Sequence, residues 1–313
     1  MRKLKQNKFL ILSIALMFIL IGYSFYSFYS ERFSYVPTYY KIKEKCYDGK
    51  DKKHEYCNQF YDDEQLELYI KAMDPVEKYK EYDTITLTCI IVEDTIFSCL
   101  QFFSPLLIAI AVLGTVHSKF NSGMFLNYLL RMDYKKYLNQ IYKTALKAAL
   151  IMPISLILVF ILSSIFSGFN FDISHVDTGL SVYSKFKYSN FLLYGSIICL
   201  TQFLISLLYA NISLYCCKKY KNTLVAIIMS YVIFLVVDLF NYLILYVVIV
   251  NKIMGFKNLT DYFNITGYWF FNDSNYWVAL IIAFVLQFVS FIILFNSYRD
   301  KGKVIESYEK QIS

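Results

Sequence analysis

Long stretches of apolar residues alternate with polar segments along most of the chain, and each stretch is about as long as a bilayer is thick. A membrane-spanning helix needs about 20 mostly apolar residues, whereas helices of soluble domains usually have about 8–20 residues in total. Six stretches meet this length, which predicts an all-α integral membrane protein with six transmembrane helices. They are residues 9–29, 90–116, 148–166, 191–215, 224–250 and 276–295.

Polar segments of unequal length separate these spans. The longest follows the first span and is predicted to form a small extracellular domain, whereas the segment after the second span is predicted to be cytoplasmic. We expect this order: a tail and the first span in residues 1–30, the extracellular domain in 31–89, the second span in 90–116, the cytoplasmic region in 117–147, four further spans in 148–296 and a cytoplasmic tail in 297–313.

The first apolar stretch follows four basic residues, as the apolar region of a signal peptide does. That region is normally about 7–15 residues long and ends at a cleavage site with small residues. Here the stretch is longer and ends in aromatic residues, which is typical of the interfacial belt of a span. We therefore interpret it as an uncleaved anchor. The aromatic residues are Tyr23, Phe25, Tyr26, Phe28 and Tyr29.

Basic residues are distributed unequally between the two predicted sides of the bilayer. Seventeen of the 31 lie in the tails and in the connections after the second and fourth spans, whereas the short loops of the other side hold four. Cytoplasmic loops carry the excess of lysine and arginine, so both termini are predicted to be cytoplasmic. This bias also explains the formal net charge of +7, which therefore indicates no nucleic-acid partner.

The predicted extracellular segment, residues 31–83, holds ten basic and thirteen acidic residues. At about 50 residues it can build only a marginal core by itself. Its two cysteines, Cys46 and Cys57, offer two alternatives: a disulfide that stabilises the segment by about 2–3 kcal/mol, or two free thiols. The stretch from Asp62 to Met73 is predicted to be helical.

An amphipathic helix is predicted in the connection between the second and third spans. One face carries Tyr134, Tyr137, Leu138, Ile141, Tyr142 and Ala145. The basic residues Lys135, Lys136, Lys143 and Lys147 fall elsewhere on the same helix. Two interpretations remain open: a helix that lies on the headgroups with its lysines against anionic lipid, or a docking element for a cytoplasmic partner.

Asp238 is the one acidic residue deep inside a predicted span, and Asn241 lies close to it on nearly the same helical face. An acid at that depth normally faces other helices or a wet cavity. It therefore indicates either a translocation pathway that includes Asp238 and Asn241 or a hydrogen-bonded residue that fixes helix packing.

Motifs of several enzyme classes are absent from the sequence. There is no G-x-x-x-x-G-K-[ST] loop for ATP and no H-E-x-x-H zinc motif. The three histidines, His54, His117 and His175, are dispersed. We therefore expect no catalytic residue, no metal site and no cofactor bound by this chain.

Cytoplasmic termini, six spans and an enlarged first outer loop resemble the membrane subunit of an ABC transporter of the type-2 exporter class. The closest local similarity follows the second span, where Gly123 precedes a short helix and a basic segment with Tyr137 and Leu138 enters the third span. The acid that often precedes the glycine is replaced by Asn121 and Ser122. The resemblance implies a coupling helix that sits in a groove of the ATPase and uses Phe120, Gly123, Phe125, Leu129 and Arg131.

If the resemblance holds, the chain is a half-channel in a bacterial plasma membrane. It would pair with itself or with a sister permease, and a separate ATP-binding cassette subunit would bind ATP and Mg²⁺. The implied cargo is an amphipathic or lipid-like molecule or a peptide. Two alternatives stay open: a non-transporting sensor or assembly subunit, and a proton-coupled carrier that uses Asp238.

Overall fold

The computed structural model describes residues 8–32, 34–48, 63–74, 82–120, 133–171, 189–253 and 276–312. Within these ranges the chain is almost entirely helical and has no strand. The helices of the described residues are α1 (Lys8–Arg32), α2 (Val36–Ile42), α3 (Asp63–Ala72), α4 (Thr84–Glu93), α5 (Thr95–Phe120), α6 (Tyr134–Ala149), α7 (Ile151–Phe166), α8 (Phe191–Lys219), α9 (Thr223–Phe240), α10 (Tyr276–Tyr298) and α11 (Lys301–Ile312).

Six helical segments of the described chain are long and apolar enough to cross a membrane, which confirms the predicted all-α membrane protein. They are Lys8–Ser30, Thr95–His117, Tyr134–Phe166, Phe191–Lys219, Thr223–Leu243 and Tyr276–Tyr298. The third includes the predicted amphipathic helix, because α6 runs into α7 with only Leu150 between them. The fifth changes character at Asn241, where α9 continues as a π-helical segment, Asn241–Ile253.

The apolar stretch predicted to begin at about residue 90 is divided between two helices, because the helix breaks at Asp94. Asp94 has an extended backbone, and its carboxylate accepts a hydrogen bond from the backbone N–H of Ile96 at 3.1 Å, so it caps α5. Before the break lies α4, which Asp83 caps through the N–H groups of Ile85 and Thr86, each at 2.8 Å. The predicted boundary at 89/90 therefore falls inside a helix.

Helix α4 packs beside the end of α7. The N–H of Thr84 donates to the carbonyl oxygen of Asn170 at 2.7 Å, and the Thr84 and Ser167 hydroxyls are 2.7 Å apart. Between Ser167 and Asn170 the chain turns at Gly168 and Phe169, both of which have positive φ. This turn ends the third span and fixes α4 to it.

Helices α1 and α5 pack closely against each other. The hydroxyl of Ser13 donates to the backbone oxygen of Leu107 at 2.9 Å. One turn closer to the start of α1, a Cβ atom added to Gly114 would lie only 2.1 Å from Cγ of Phe9. Glycine at position 114 is therefore what allows the Phe9 ring to lie against the backbone of α5.

Helix α8 is the central helix of the bundle, because it contacts α5, α6, α7, α9, α10 and α11. It buries residues along most of its length, including Tyr194, Ile205 and Cys217. By contrast, α9 and α10 leave much of their apolar surface exposed, as expected for helices that face lipid or another membrane subunit.

The start of α1 and the end of α10 lie at the same side of the bundle. Phe9 lies against Gly114, His117 bonds to Tyr220, and Tyr134 bonds to Tyr298. We call this side the basic end, because exposed lysine and arginine residues surround it. They include Lys8, Lys135, Lys136, Lys219, Lys221, Arg299, Lys301 and Lys303.

A second, smaller apolar cluster forms in the predicted extracellular segment. Tyr39 and Ile42 of α2 pack with Leu66 and Ile70 of α3, which confirms the predicted helix within residues 62–73. Helix α2 continues as a π-helical turn, Lys43–Asp48, which carries the buried Cys46. Cys46 is disulfide-bonded, whereas Cys57 lies outside the described residues, so the Cys46–Cys57 pairing stays a prediction.

Candidate functional site

A cavity of about 240 Å³ lies among α8, α9 and α10, in the half of the bundle nearest the basic end. We call it the α8–α10 cleft. Its lining is almost entirely apolar, with two polar side chains. It is formed by Leu208, Asn211, Ile212, Tyr215, Ile233, Val237, Leu286, Val289, Ser290, Ile293 and Leu294.

The polar side chains of the cleft form a hydrogen-bonded group. The amide nitrogen of Asn211 donates to the Ser290 hydroxyl at 2.9 Å and lies 3.3 Å from the Gln287 amide oxygen. The Ser290 hydroxyl donates to the backbone oxygen of Gln287 at 2.8 Å. In an apolar environment such bonds join helices, so this group holds α8 against α10 and also gives the cleft one polar position.

The rim of the cleft opens toward the outer surface of the bundle. Val289 and Ile293 of α10 are each about half exposed, and Tyr215 of α8 is partly exposed. An apolar cavity that is open at the surface and has one polar position suits an amphipathic ligand with an apolar chain and a hydrogen-bonding group.

Asp238 and Asn241, the predicted pathway residues, lie beside the cleft and do not line it. Ile233 and Val237 of α9 line the cleft, and Asn241 lies one turn after Val237. Asn241 is buried at the change from α- to π-helix, and Asp238 is half-buried. The two residues are near each other, but their role in a pathway stays a prediction.

Helix α6, the predicted amphipathic helix, packs its apolar face against the bundle. Tyr137, Ile141 and Ala145 are buried, and the helix contacts α5, α7 and α8. The predicted basic residues are all on the exposed side: Lys135, Lys136, Lys143 and Lys147. The apolar face is thus covered by protein, and the lysines are presented outward at the basic end.

A chain of hydrogen bonds joins the start of α6 to the cleft. The Tyr134 hydroxyl donates to the backbone oxygen of Tyr298, and the Tyr298 hydroxyl donates to the backbone oxygen of Leu214 at 2.8 Å. Leu294, one turn before Tyr298, lines the cleft, as does Asn211, three residues before Leu214. Lys218 reinforces this contact, since its ammonium donates to the backbone oxygen of Ser297 at 2.6 Å and lies over the Tyr298 ring.

His117 links the end of the second span to the turn between the fourth and fifth. Its Nε2 lies 2.8 Å from the backbone oxygen of Tyr220, and its Nδ1 lies 2.7 Å from the Thr223 hydroxyl. A carbonyl oxygen only accepts, so Nε2 carries the proton and the neutral ring accepts from Thr223 at Nδ1. The histidine is fully buried. The sequence did not indicate that His117 joins these segments, because the three histidines are far apart along the chain.

Most of the predicted coupling residues lie outside the described residues: Gly123, Phe125, Leu129 and Arg131. Phe120 is the last residue of α5, so the second span continues as helix up to the predicted coupling segment. Contact of these five residues with an ATPase therefore stays a prediction. Sequence reasoning missed Asn211, Gln287 and Ser290, although each is a polar residue within an apolar stretch.

Comparison with known proteins identifies no relative. No protein-family profile, no characterised protein and no solved structure matches the chain. Among the residues that the structure describes, no group of three histidine, cysteine or acidic side chains is arranged to hold a metal ion.

Proposed function

We propose that this chain is the membrane-spanning subunit of an ATP-driven exporter of the type-2 ABC class. A separate ATPase subunit would bind ATP and Mg²⁺, and the chain would pair with a second copy or with a sister permease in the plasma membrane. The observation that carries the proposal is the hydrogen-bonded connection from α6, through Tyr134 and Tyr298, to the wall of the α8–α10 cleft.

This connection can transmit movement because each of its links crosses between helices. Helix α6 presents exposed lysines at the basic end, where a cytoplasmic partner can reach them. Its buried face contacts α5 and α8, and Tyr134 reaches α10. A displacement of α6 therefore acts on α8 and α10, two of the three helices that form the cleft, which is what coupling between an ATPase and a cargo site requires.

The cleft supports an amphipathic cargo. Its apolar lining accommodates hydrocarbon, while Asn211 and Ser290 supply donors and acceptors at one position. Its open rim faces the bilayer, so a lipid-like molecule or an amphipathic peptide would enter from the membrane rather than from water.

The first test is purification of the tagged full-length chain from its own membranes in a mild detergent. We expect a co-purifying subunit with a Walker motif and vanadate-sensitive ATP hydrolysis after reconstitution in vesicles. A chain that purifies alone and moves a fluorescent phospholipid across vesicles without ATP would overturn the proposal.

The second test addresses the cleft in the reconstituted complex. Asn211→Ala is expected to change the stimulation of ATP hydrolysis by amphipathic probes, because it removes the polar position of the cleft. Ser196→Ala, on the exposed side of the same helix, is the matched control. Equal responses in both variants would exclude the cleft as the cargo site.

A further inference from the structure

A recess at the basic end lies apart from the α8–α10 cleft. Its volume is about 670 Å³, and it forms where α10 ends, α11 begins and α6 passes close by. We call it the basic recess. It is lined by Tyr134, Asn296, Arg299, Asp300, Lys301 and Lys303.

The recess carries an excess of positive charge. Arg299, Lys301 and Lys303 contribute three cations, and Asp300 contributes the one carboxylate among the lining residues. That carboxylate accepts a hydrogen bond from the backbone N–H of Gly302 at 2.8 Å, so it serves to begin α11. With three cations and one carboxylate, the lining carries a net positive charge that favours an anion.

Packing anchors the backbone of the segment that carries the cations. Val304 of α11 is fully buried, and α11 contacts both α8 and α10. Lys301 and Lys303 are exposed and precede Val304 in the first turn of α11, and Arg299 directly follows the last residue of α10. The three cations therefore lie within a five-residue segment that directly follows the sixth candidate span, Tyr276–Tyr298.

An exposed apolar stripe leads along α10 to the recess. Phe288, Ile292 and Phe295 are each about half exposed, and with Arg299 they follow the i, i+4, i+7, i+11 spacing of one helical face. A ligand that lies along this stripe therefore has hydrocarbon contacts over three positions and meets positive charge at the fourth.

We propose that the basic recess binds the phosphate headgroup of an anionic phospholipid whose acyl chain lies along this stripe of α10. Basic pockets beside transmembrane helices are suited to anionic headgroups, and the stripe distinguishes a lipid from a free anion. The ammonium and guanidinium groups contact the phosphate, and the apolar side chains contact the chain. This inference does not depend on the exporter proposal, since the site lies outside the cleft and needs no ATPase.

The experiment uses the purified full-length chain in a neutral detergent, without any partner. Binding of dioctanoyl phosphatidylglycerol is titrated at low salt, with dioctanoyl phosphatidylcholine and inorganic phosphate as the comparison ligands. We expect the phosphatidylglycerol to bind more tightly than either, and its affinity to fall as ionic strength rises.

The decisive variant is Arg299→Gln/Lys301→Gln/Lys303→Gln, which removes only the cations of the recess. We expect a loss of about 100-fold in affinity for phosphatidylglycerol, because each basic residue near an anionic headgroup contributes about fivefold. The matched control is Lys135→Gln/Lys136→Gln/Lys143→Gln, which removes three exposed cations of the same end outside the recess. It is expected to retain affinity within about twofold to threefold, which is half a unit or less of pKd.

Other results would overturn the inference. An equal loss in both triple variants would show diffuse attraction by the whole basic end, and equal binding of inorganic phosphate would show a free-anion site. The charge-retaining variant Arg299→Lys/Lys301→Arg/Lys303→Arg tests folding, since it should bind phosphatidylglycerol as the wild type does. Phe295→Ala should weaken phosphatidylglycerol alone; if it leaves that affinity unchanged, the acyl chain does not lie along α10.

Discussion

The Nε2 atom of His117 donates a hydrogen bond to the backbone oxygen of Tyr220 over 2.8 Å, and this bond ties the second span to the turn between the fourth and fifth. The same ring accepts a bond from Thr223, the first residue of α9. One neutral imidazole thus joins three spans at the end of the bundle where α5 leads into the predicted coupling segment.

Removing this imidazole should destabilise the basic end. His117→Ala leaves the Tyr220 oxygen and the Thr223 hydroxyl without their partner, so we expect the free energy of unfolding to fall by about 1–3 kcal/mol. His117→Gln should cost less, because its amide nitrogen can reach the Tyr220 oxygen. Unfolding in mixed micelles measures both, and a cycle with Thr223→Val should show non-additive losses. Additive losses would mean that the two bonds act independently.

Gly114→Ala should disrupt the packing of α1 on α5. The added Cβ would lie 2.1 Å from Cγ of Phe9, and overpacking of this kind typically costs about 1–3 kcal/mol. The matched control is Gly22→Ala, where no neighbouring atom lies within 4 Å of the added Cβ. There the better helix propensity of alanine should leave stability unchanged or slightly raised.

The double variant Gly114→Ala/Phe9→Ala separates a local clash from a general effect. It removes the ring atoms that the new Cβ meets, although the Cβ of residue 9 would still lie 2.6 Å away. We therefore expect partial recovery of the unfolding free energy relative to Gly114→Ala alone. No recovery would place the cause elsewhere in α5.

The length of the apolar stretches and the helical spacing of apolar residues were sufficient to predict the spans and the amphipathic α6, because both are local properties of the sequence. The division of the second apolar stretch into α4 and α5 was not predicted, since the capping of α5 by Asp94 depends on backbone conformation, which hydropathy does not show. The predicted face of α6 is the buried one, but periodicity could not tell that protein rather than lipid covers it.

The cleft could not be predicted, because it exists only where three helices meet. Asn211 and Gln287 are 76 positions apart, and the polar residues of one span give no indication of which residues of another span they face. Asp238 was predicted as a pathway residue because it is charged, whereas Asn211 and Ser290, which line the cavity, are neutral. A charged residue in a span is evident from the sequence, whereas the shape of a cavity depends on how the helices pack.

Tyr134→Phe should weaken the connection between α6 and the cleft. It removes the hydroxyl that donates to the Tyr298 backbone and preserves the ring that stacks on Tyr137. A hydrogen bond between membrane helices contributes about 0.6 kcal/mol on average, so we expect little loss of stability. In the reconstituted complex, however, probe-stimulated ATP hydrolysis should fall while basal hydrolysis persists.

Tyr142→Phe is the matched control for this variant, because Tyr142 lies two turns further along α6 and its ring packs against Phe291. Loss of stimulation in both variants would indicate a general effect on α6. Normal stimulation in Tyr134→Phe would show that movement reaches the cleft by another route.

Asp238→Asn tests the proton-coupled carrier. If ATP drives transport, the variant should retain transport and its pH dependence, since the half-buried Asp238 does not line the cleft. If the carboxyl group carries the proton, the substitution should abolish transport that a pH gradient drives. Glu309→Gln, an exposed acid on α11, is the control for loss of one negative charge. Transport that requires a pH gradient, and that is lost in Asp238→Asn but retained in Glu309→Gln, would show that the chain is a proton-coupled carrier and not an ATP-driven exporter.

The small apolar cluster of α2 and α3 should lose stability at alkaline pH through Tyr39. Burial, and secondarily the negative charge of Asp74, raises the pKa of the Tyr39 phenol above its usual value of about 10. A group with a raised pKa in the folded state stabilises that state fully below pH 10 and loses this contribution as the pH rises through the folded-state pKa. The tyrosinate absorbance that Tyr39→Phe removes should therefore appear above pH 10 in the native chain and near pH 10 in urea. A midpoint near pH 10 under both conditions would show that Tyr39 is accessible to water and that the cluster does not exclude its ionised form.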